Sequence, residues 1–196
     1  ALVDHLRVAH VVLAEEGAPL LAYVPPGGHD AFLDFLRGYL AEERGVLQRP
    51  EELLVVNGPQ QALDLLARAF IRPGDTIVVE EPSYYGALEI FRGYGARLVG
   101  IPVDEHGMTM TGLGAVLARE HPKLMYLMPT FQNPTGSTLP ASRREELVRL
   151  SSRYQVPVIE DDFDGELYYD EAPPRPLKSL PGSEGVIYIG TPSKML

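Results

Sequence analysis

Cysteine is missing altogether from the 196 residues, which excludes a disulfide framework, thiolate chemistry and any zinc site built on cysteine. Basic residues are in deficit, 17 Lys and Arg against 27 Asp and Glu, for a formal net charge of -10. A phosphate backbone rewards clustered Lys and Arg, so no nucleic-acid surface is expected within this segment. No apolar run is long enough to span a bilayer, and Ala1 does not open a signal peptide with a basic start. A soluble, cytoplasmic protein is the expectation, with no membrane partner. Internal repeats and low-complexity tracts are absent as well. What is there, 45% hydrophobic and 22% charged residues, suits one globular domain or a large part of a bigger one. The chain opens without an initiator Met and stops just after Lys194, so it is expected to be a piece of a longer protein.

Apolar residues recur at helical spacing from Leu2 through Leu6 to Leu13 and again over residues 31–44, with a turn-rich loop, Tyr23-Val24-Pro25-Pro26-Gly27-Gly28, between them. The pattern then changes. Residues 53–56, 76–80, 97–101, 123–127, 156–160 and 186–189 are short apolar runs of the kind covered on both faces. Amphipathic stretches at 59–70, 84–94, 113–120 and 141–154 fill the gaps. This βαβ order predicts a three-layer α/β/α fold with a mainly parallel sheet. Residues 171–182, rich in Pro, read as an ordered crossing loop before the last strand. The chain divides into an N-terminal helix and loop segment, 1–30, and one domain over 31–196.

In open α/β sheets ligands bind outside the carboxyl ends of the strands, so the residues directly after each apolar run carry the information. Asn57-Gly58-Pro59-Gln60 is a glycine turn opening a helix with Pro at its first position, and the free N–H groups of such a turn suit a phosphate as well as ordinary capping. Glu81-Pro82-Ser83-Tyr84-Tyr85 puts two tyrosines at the mouth of the sheet, where a ring either stacks on a flat ligand or caps the next helix. Asn133-Pro134-Thr135-Gly136 is a strong turn former that also presents an amide donor. Glu160-Asp161-Asp162-Phe163-Asp164 clusters carboxylates beyond a buried strand. They can cap a helix, hold a divalent ion or keep a heteroaromatic nitrogen protonated. Capping ranks above metal, because no His partner has a ligand spacing, and no metal site is expected. Gly190-Thr191-Pro192-Ser193-Lys194 ends on a lysine among hydroxyls, which is either a solvated charge or, with a lowered pKa, an imine-forming amine.

In this order and spacing the five segments resemble the class I/II aminotransferases, the fold type I enzymes dependent on pyridoxal 5'-phosphate, and the resemblance runs over essentially the whole chain. It implies an amino-acid transaminase acting on amino-acid and 2-oxo-acid substrates, in a subgroup near the 2-aminoadipate-type enzymes. Lys194 is then the lysine that forms a Schiff base with the cofactor and carries the proton of the 1,3-shift. Asp161 is the partner of the pyridinium nitrogen. Asn133 bonds the phenolic oxygen, and Tyr84 stacks on the ring. Gly58, Pro59 and Gln60 form the phosphate turn, with Thr191 and Ser193 supplying hydroxyls opposite. Tyr23 matches the tyrosine that reaches the phosphate of the neighbouring subunit in a homodimer.

Three residues depart from the pattern. Pro59 has no N–H to offer the phosphate; Phe163 stands near the place of a tyrosine whose hydroxyl bonds the phenolic oxygen; Pro192 replaces a usual aromatic residue. The resemblance also implies two arginines, one for the phosphate and one for the substrate carboxylate in a C-terminal small domain, that fall beyond Leu196. By itself the chain is therefore not expected to be an efficient transaminase. Arg44-Gly45-Val46, the stretch 160–164 and Tyr188-Ile189-Gly190-Thr191 are similar as well to the aminotransferase-like effector domain of MocR/GntR-type transcription regulators. A basic winged-helix segment upstream of Ala1 would distinguish that alternative.

Overall fold

The computed structural model describes residues 2–17, 19, 22–23 and 27–194. Residues 24–26 of the Pro-rich loop and the last two residues, Met195 and Leu196, lie outside the described residues. Helix α1 covers Leu2–Glu16 and α2 Asp30–Tyr39. Instead of continuing as one α-helix to residue 44, the second amphipathic stretch widens into a π-helical turn at Leu40–Arg44. Gly45, in the left-handed region at φ 67°, ends it.

The alternating part follows as α3 (Pro59–Phe70), β1 (Thr76–Glu81), α4 (Tyr85–Gly93), β2 (Arg97–Asp104), β3 (Gly107–Met108), α5 (Leu113–Glu120), β4 (Leu124–Leu127), α6 (Ala141–Tyr154), β5 (Val158–Asp162) and β6 (Val186–Gly190). The sheet order is β3-β2-β1-β4-β5-β6. All neighbours are parallel except β2 and β3, a short antiparallel pair closed around Asp104 and Gly107. The chain walks outward from β1 to β3 and then returns to lay β4 on the other side of β1. That reversal opens a crevice between the carboxyl ends of β1 and β4, where a doubly wound sheet takes its ligand.

Both faces are covered, which is why the strands are nearly continuous apolar runs. One face packs Ile77, Val79, Tyr126 and Ile159 against Leu63 and Ala67 of α3 and Phe91 of α4. The other packs Val78, Met125 and Val158 against Leu113 and Leu117 of α5 and Leu147 of α6. Each such side chain contributes about 1.5–3 kcal/mol by leaving water.

One predicted strand is not formed. Residues 53–56 are extended but pair with no strand among the described residues. Val55 N–H instead donates to Gly27 O at 3.1 Å, and a cavity of about 300 Å³ separates the segment from the outer edge of β6. Apolar character makes a strand possible, but a ladder partner has to be there to make it one. The predicted strands at 123–127 and 156–160 begin one and two residues later than expected.

α1 presents Leu6, Val8 and Val11 to solvent at 64%, 62% and 49% exposure, and no helix among the described residues is long and apolar enough to cross a membrane. By contrast Arg144 on α6 is 1% exposed. Its guanidinium donates to Leu139 O (2.7 Å), Pro129 O (2.7 Å), Thr130 Oγ1 (2.9 Å) and Arg175 O (3.1 Å), tying the loop after β4 to the Pro-rich crossing loop. Only the planar fork reaches all four acceptors. Arg144→Leu leaves them buried and unpaired, and should cost about 3 kcal/mol in urea unfolding. Arg144→Lys should recover less than half of that loss, since one ammonium cannot span the set.

Candidate active site

The carboxyl edge of the sheet is assembled from loops that hold one another. Gly58 precedes α3 at φ 102°, ψ 172°, a region open to glycine, and Pro59 follows at the first helical position. No side chain caps α3. Asn57 N–H donates back to Gln61 Oε1 at 2.6 Å, which leaves the N–H groups at Gln60 and Gln61 as the positive end of the helix dipole. Gln60 Nε2 donates to Tyr84 Oη at 2.8 Å, and Tyr84 is the N-cap of α4. The first turns of both helices on one face of the sheet are thus bonded side by side. Tyr85, 70% exposed, points away. Gly86 closes this corner: a Cβ there would meet Tyr84 Cζ and Oη at 2.6 Å and Gln60 Nε2 at 2.7 Å.

Asn133 is half-buried in the loop after β4, and the Asn133-Pro134 bond is cis, like Glu81-Pro82 after β1. Its neighbour Gln132 holds the two loops together. Gln132 Nε2 donates to Pro82 O at 2.8 Å, while its Oε1 accepts from Thr135 N–H at 3.0 Å and Thr135 Oγ1 at 2.7 Å. Glu80, 2% exposed at the end of β1, accepts from Met128 N–H at 2.9 Å.

Asp161 sits near the end of β5, 2% exposed. Tyr126 Oη donates to its Oδ2 at 2.9 Å, and Oδ1 is buried with no hydrogen-bond partner. Burial pushes the carboxyl up to about 6, against the pull of the Tyr126 bond, and Asp162 and Asp164 push the same way as burial. Phe163 packs on the α3/α4 side of the core and lines the cavity, as do Gly58 and Thr191. Asp162 turns to the opposite face of the strand. There Arg44 donates to Asp162 Oδ2 and to Gly165 O (3.2 Å), and Tyr188 Oη donates to the same Oδ2 at 2.6 Å. The π-helical turn is thereby pinned to the ends of β5 and β6.

After β6, Thr191 is half-buried and its Oγ1 accepts from Ser193 N–H at 3.3 Å; Ser193 itself is exposed. Lys194 closes the 3-10 turn Pro192–Lys194, and its side chain lies outside what the structure describes. Tyr23 stands free, fully exposed to solvent. The fold therefore gathers Gly58, Pro59, Gln60, Tyr84, Asn133, Asp161, Phe163, Thr191, Ser193 and the Lys194 backbone along one edge, and leaves Tyr23 apart. Tyr126, Gln132 and Glu80 are given no role by the sequence alone. Each is a polar residue inside or beside an apolar run, and that interruption was the available signal.

Three carboxyls at this edge are pushed up chiefly by burial: Glu80 to about 8, Glu160 to about 7 and Asp161 to about 6. A carboxyl whose folded pKa exceeds its unfolded value holds a proton longer when folded, so stability falls as pH rises from the unfolded value through the folded one. Between about pH 5 and pH 8 the protein should lose stability for this reason. Glu80→Gln, which keeps an acceptor for Met128 N–H, should shrink the difference between urea-unfolding free energies at those two pH values. An unchanged difference would show that Glu80 does not titrate there.

Comparison with known proteins gives the chain a family. The model of aminotransferase class I and II matches residues 2–196. A 2-aminoadipate transaminase from Thermus thermophilus is 42% identical over 188 residues, 94% of this chain and 46% of that protein. A probable rhizopine catabolism regulatory protein, MocR, from Rhizobium meliloti is 36% identical over 169 residues, 86% of this chain and 34% of its own. Among solved structures, LysN, an α-aminoadipate aminotransferase from Thermus thermophilus complexed with N-(5'-phosphopyridoxyl)-L-leucine, superposes with a TM-score of 0.90 at 38% identity. That match covers 97% of this chain and 48% of the other. The chain spans just under half the length of these two transaminases. Its fold is that of the fold type I large domain, and the chain belongs to the aminotransferase class I and II family.

Proposed function

We propose that this chain is the cofactor-binding part of a pyridoxal 5'-phosphate-dependent amino-acid transaminase, with residues 31–196 as the large domain and 1–30 as an N-terminal helix and loop segment. The observation that carries the reading is Asp161: a buried carboxylate with one unpartnered oxygen, at the strand edge where two helix N-termini meet. An oxygen left so inside a protein needs a donor, and a protonated ring nitrogen is one. The residues present fit the group.

When bound, the cofactor supplies an aldehyde that condenses with amines and a protonated ring that stabilises negative charge at the adjacent carbon. Asp161 Oδ1 accepts the ring N–H and keeps that proton in place by its opposite charge. Gln60 and Gln61 offer backbone N–H groups at the α3 N-terminus to the phosphate, Thr191 and Ser193 add hydroxyls, and Pro59 offers no donor. Tyr84, oriented by Gln60, covers the ring face. Asn133 donates to the phenolic oxygen, and Phe163 has no hydroxyl with which to help. Lys194 would hold the cofactor covalently, and its amine, once displaced by that of the substrate, would carry the substrate proton.

The full-length protein should bind pyridoxal 5'-phosphate, and borohydride should fix it to the peptide bearing Lys194. Lys194→Ala should take no covalent label, and a label on another lysine would overturn the assignment. Gly86→Ala separates site from scaffold. The backbone there accommodates Ala within α4, so stability should hold, while displacement of Tyr84 and Gln60 should lower cofactor affinity by about tenfold. Unchanged affinity would remove Tyr84 from the site.

The similarity to MocR supports a second reading, an effector domain that binds the same cofactor without turning over substrate. Half-transamination against a panel of amino acids distinguishes the two, since the transaminase converts bound cofactor and the effector domain does not. We propose further that the protein works in the cytoplasm as a homodimer, its Tyr23 reaching the partner subunit's phosphate. The exposed apolar side chains of α1 support this pairing. Sedimentation of the full-length protein at micromolar concentration should give a dimer, and a monomer would count against it.

A further inference from the structure

We propose that Tyr126 is a positioning residue for Asp161, fixing the carboxylate so that Oδ1 is the oxygen offered to the ring nitrogen of the bound cofactor. The inference rests on the reading of this edge as a pyridoxal 5'-phosphate site. Tyr126 is registered opposite Ile159 in the β4/β5 pair, so Asp161, two residues on, projects from the same face of the sheet. The phenol is fully buried, and its ring is held edge-on to Phe91 of α4, 5.5 Å between centroids at 69°. From that fixed ring the hydroxyl donates to Asp161 Oδ2 at 2.9 Å. Rotation of the carboxylate would break this bond, so Oδ2 stays engaged and Oδ1 stays free.

The chemistry of the donor matters as much as its place. A Phe would fill this part of the core equally well, so packing does not account for the hydroxyl. Burial, then the charge of Asp161, pushes the phenol well above its ordinary range. It therefore remains a neutral donor at any working pH. The titratable groups that face the pair are Glu80 from β1, Asp162 and Asp164 along the chain, and Tyr84 at the head of α4. Asp162 and Asp164 oppose ionisation of Asp161, and Glu80 and Tyr84 act against ionisation of the phenol. Tyr126 is the hydrogen bond that favours the ionised form. A cationic donor in its place would bind the carboxylate more strongly and compete with the ring nitrogen for it, whereas a phenol orients the group and leaves it available.

The test uses full-length wild type, Tyr126→Phe, Asp161→Asn and the double variant, with pyridoxal 5'-phosphate dissociation constants measured by fluorescence titration from pH 5 to 8. Tyr126→Phe should weaken binding by about tenfold near pH 6, consistent with loss of a hydrogen bond to a charged group. Affinity falls as acid protonates Asp161, and in Tyr126→Phe the midpoint of that fall should move to higher pH. In the Asp161→Asn background the same substitution should change affinity less than about twofold, because the residue acts through the carboxylate. Site-specific 3,5-difluorotyrosine at position 126 keeps the ring in place and is a stronger donor, so it should move the midpoint to lower pH. That variant decides the question even if Tyr126→Phe folds poorly. An unmoved midpoint with difluorotyrosine, or an equal loss of affinity in both backgrounds, overturns the proposal. Wild type that binds no cofactor overturns the reading of the site itself, and this inference with it.

Discussion

Parallel pairing of β1, β4, β5 and β6 is the constraint on which everything else rests. Strands that run the same way must end on the same edge, and each end there releases a loop with polar residues. Reversal of the winding between β1 and β4 keeps those loops from crowding. The loop after β1 and the loop after β4 leave on opposite sides of the crevice and are then drawn together by Gln132, which bonds both. A shift of register by one residue in β5 would turn Asp161 to the α5/α6 face and Asp162 to the site. The alternation of these two carboxylates, one facing the site and one paired with Arg44 behind it, follows directly from the period of the strand.

Such an edge concentrates carboxyl groups in a place with little water. Glu80, Glu160, Asp161 and Asp162 are all nearly or fully buried, and each finds a different answer. Glu160 accepts Leu177 N–H at 2.7 Å and Lys178 N–H at 2.9 Å. Glu80 accepts a backbone N–H and a side-chain amide, the latter at 3.4 Å. Asp162 has the guanidinium of Arg44 and the phenol of Tyr188. Asp161 has one phenol and an unanswered oxygen. Asp162 also keeps a buried oxygen, Oδ1, without a hydrogen bond, but the Arg44 guanidinium answers its charge. Buried charge is costly unless paired, and Asp161 combines an open oxygen with no ion pair among the described residues, which marks it as the place where the protein spends stability on a ligand. Arg144 works in the reverse sense: a buried cation satisfied by carbonyl and hydroxyl oxygens, fixing the backbone that carries Asn133 from beneath.

Much of this was legible in the sequence because its signals are local. The apolar runs and the amphipathic stretches fixed the βαβ order, and four of the helices begin and end within a residue of their predicted bounds. Gly58, Asn133 and Asp161 stand out in the sequence because they lie just beyond apolar runs, and the end of such a run is visible in the chain. Residues 53–56 misled for a physical reason, since extended apolar backbone becomes a strand only when another edge is there to bond it. The β2/β3 pair was missed because two residues are too few to show a period. The burial of Arg144 and Arg44 was not legible, since nothing in a helix's sequence says which of its turns will meet a loop from far along the chain.

The sequence by itself determined which residues follow each apolar run, and therefore which chemical groups are available at the edge: an amide, a carboxylate, a helix turn and a lysine among hydroxyls. Those follow from periodicity and turn chemistry, which act over a few residues. Only the tertiary structure decided which of those groups would be completed by partners and which left open. Tyr126 meets Asp161 across 35 positions of chain, Gln60 meets Tyr84 across 24, and Arg44 meets Asp162 across 118. Hydrogen bonds at such separations exist only after the sheet has brought its strands side by side, and the state of Asp161 is set by those bonds and by the burial that comes with them.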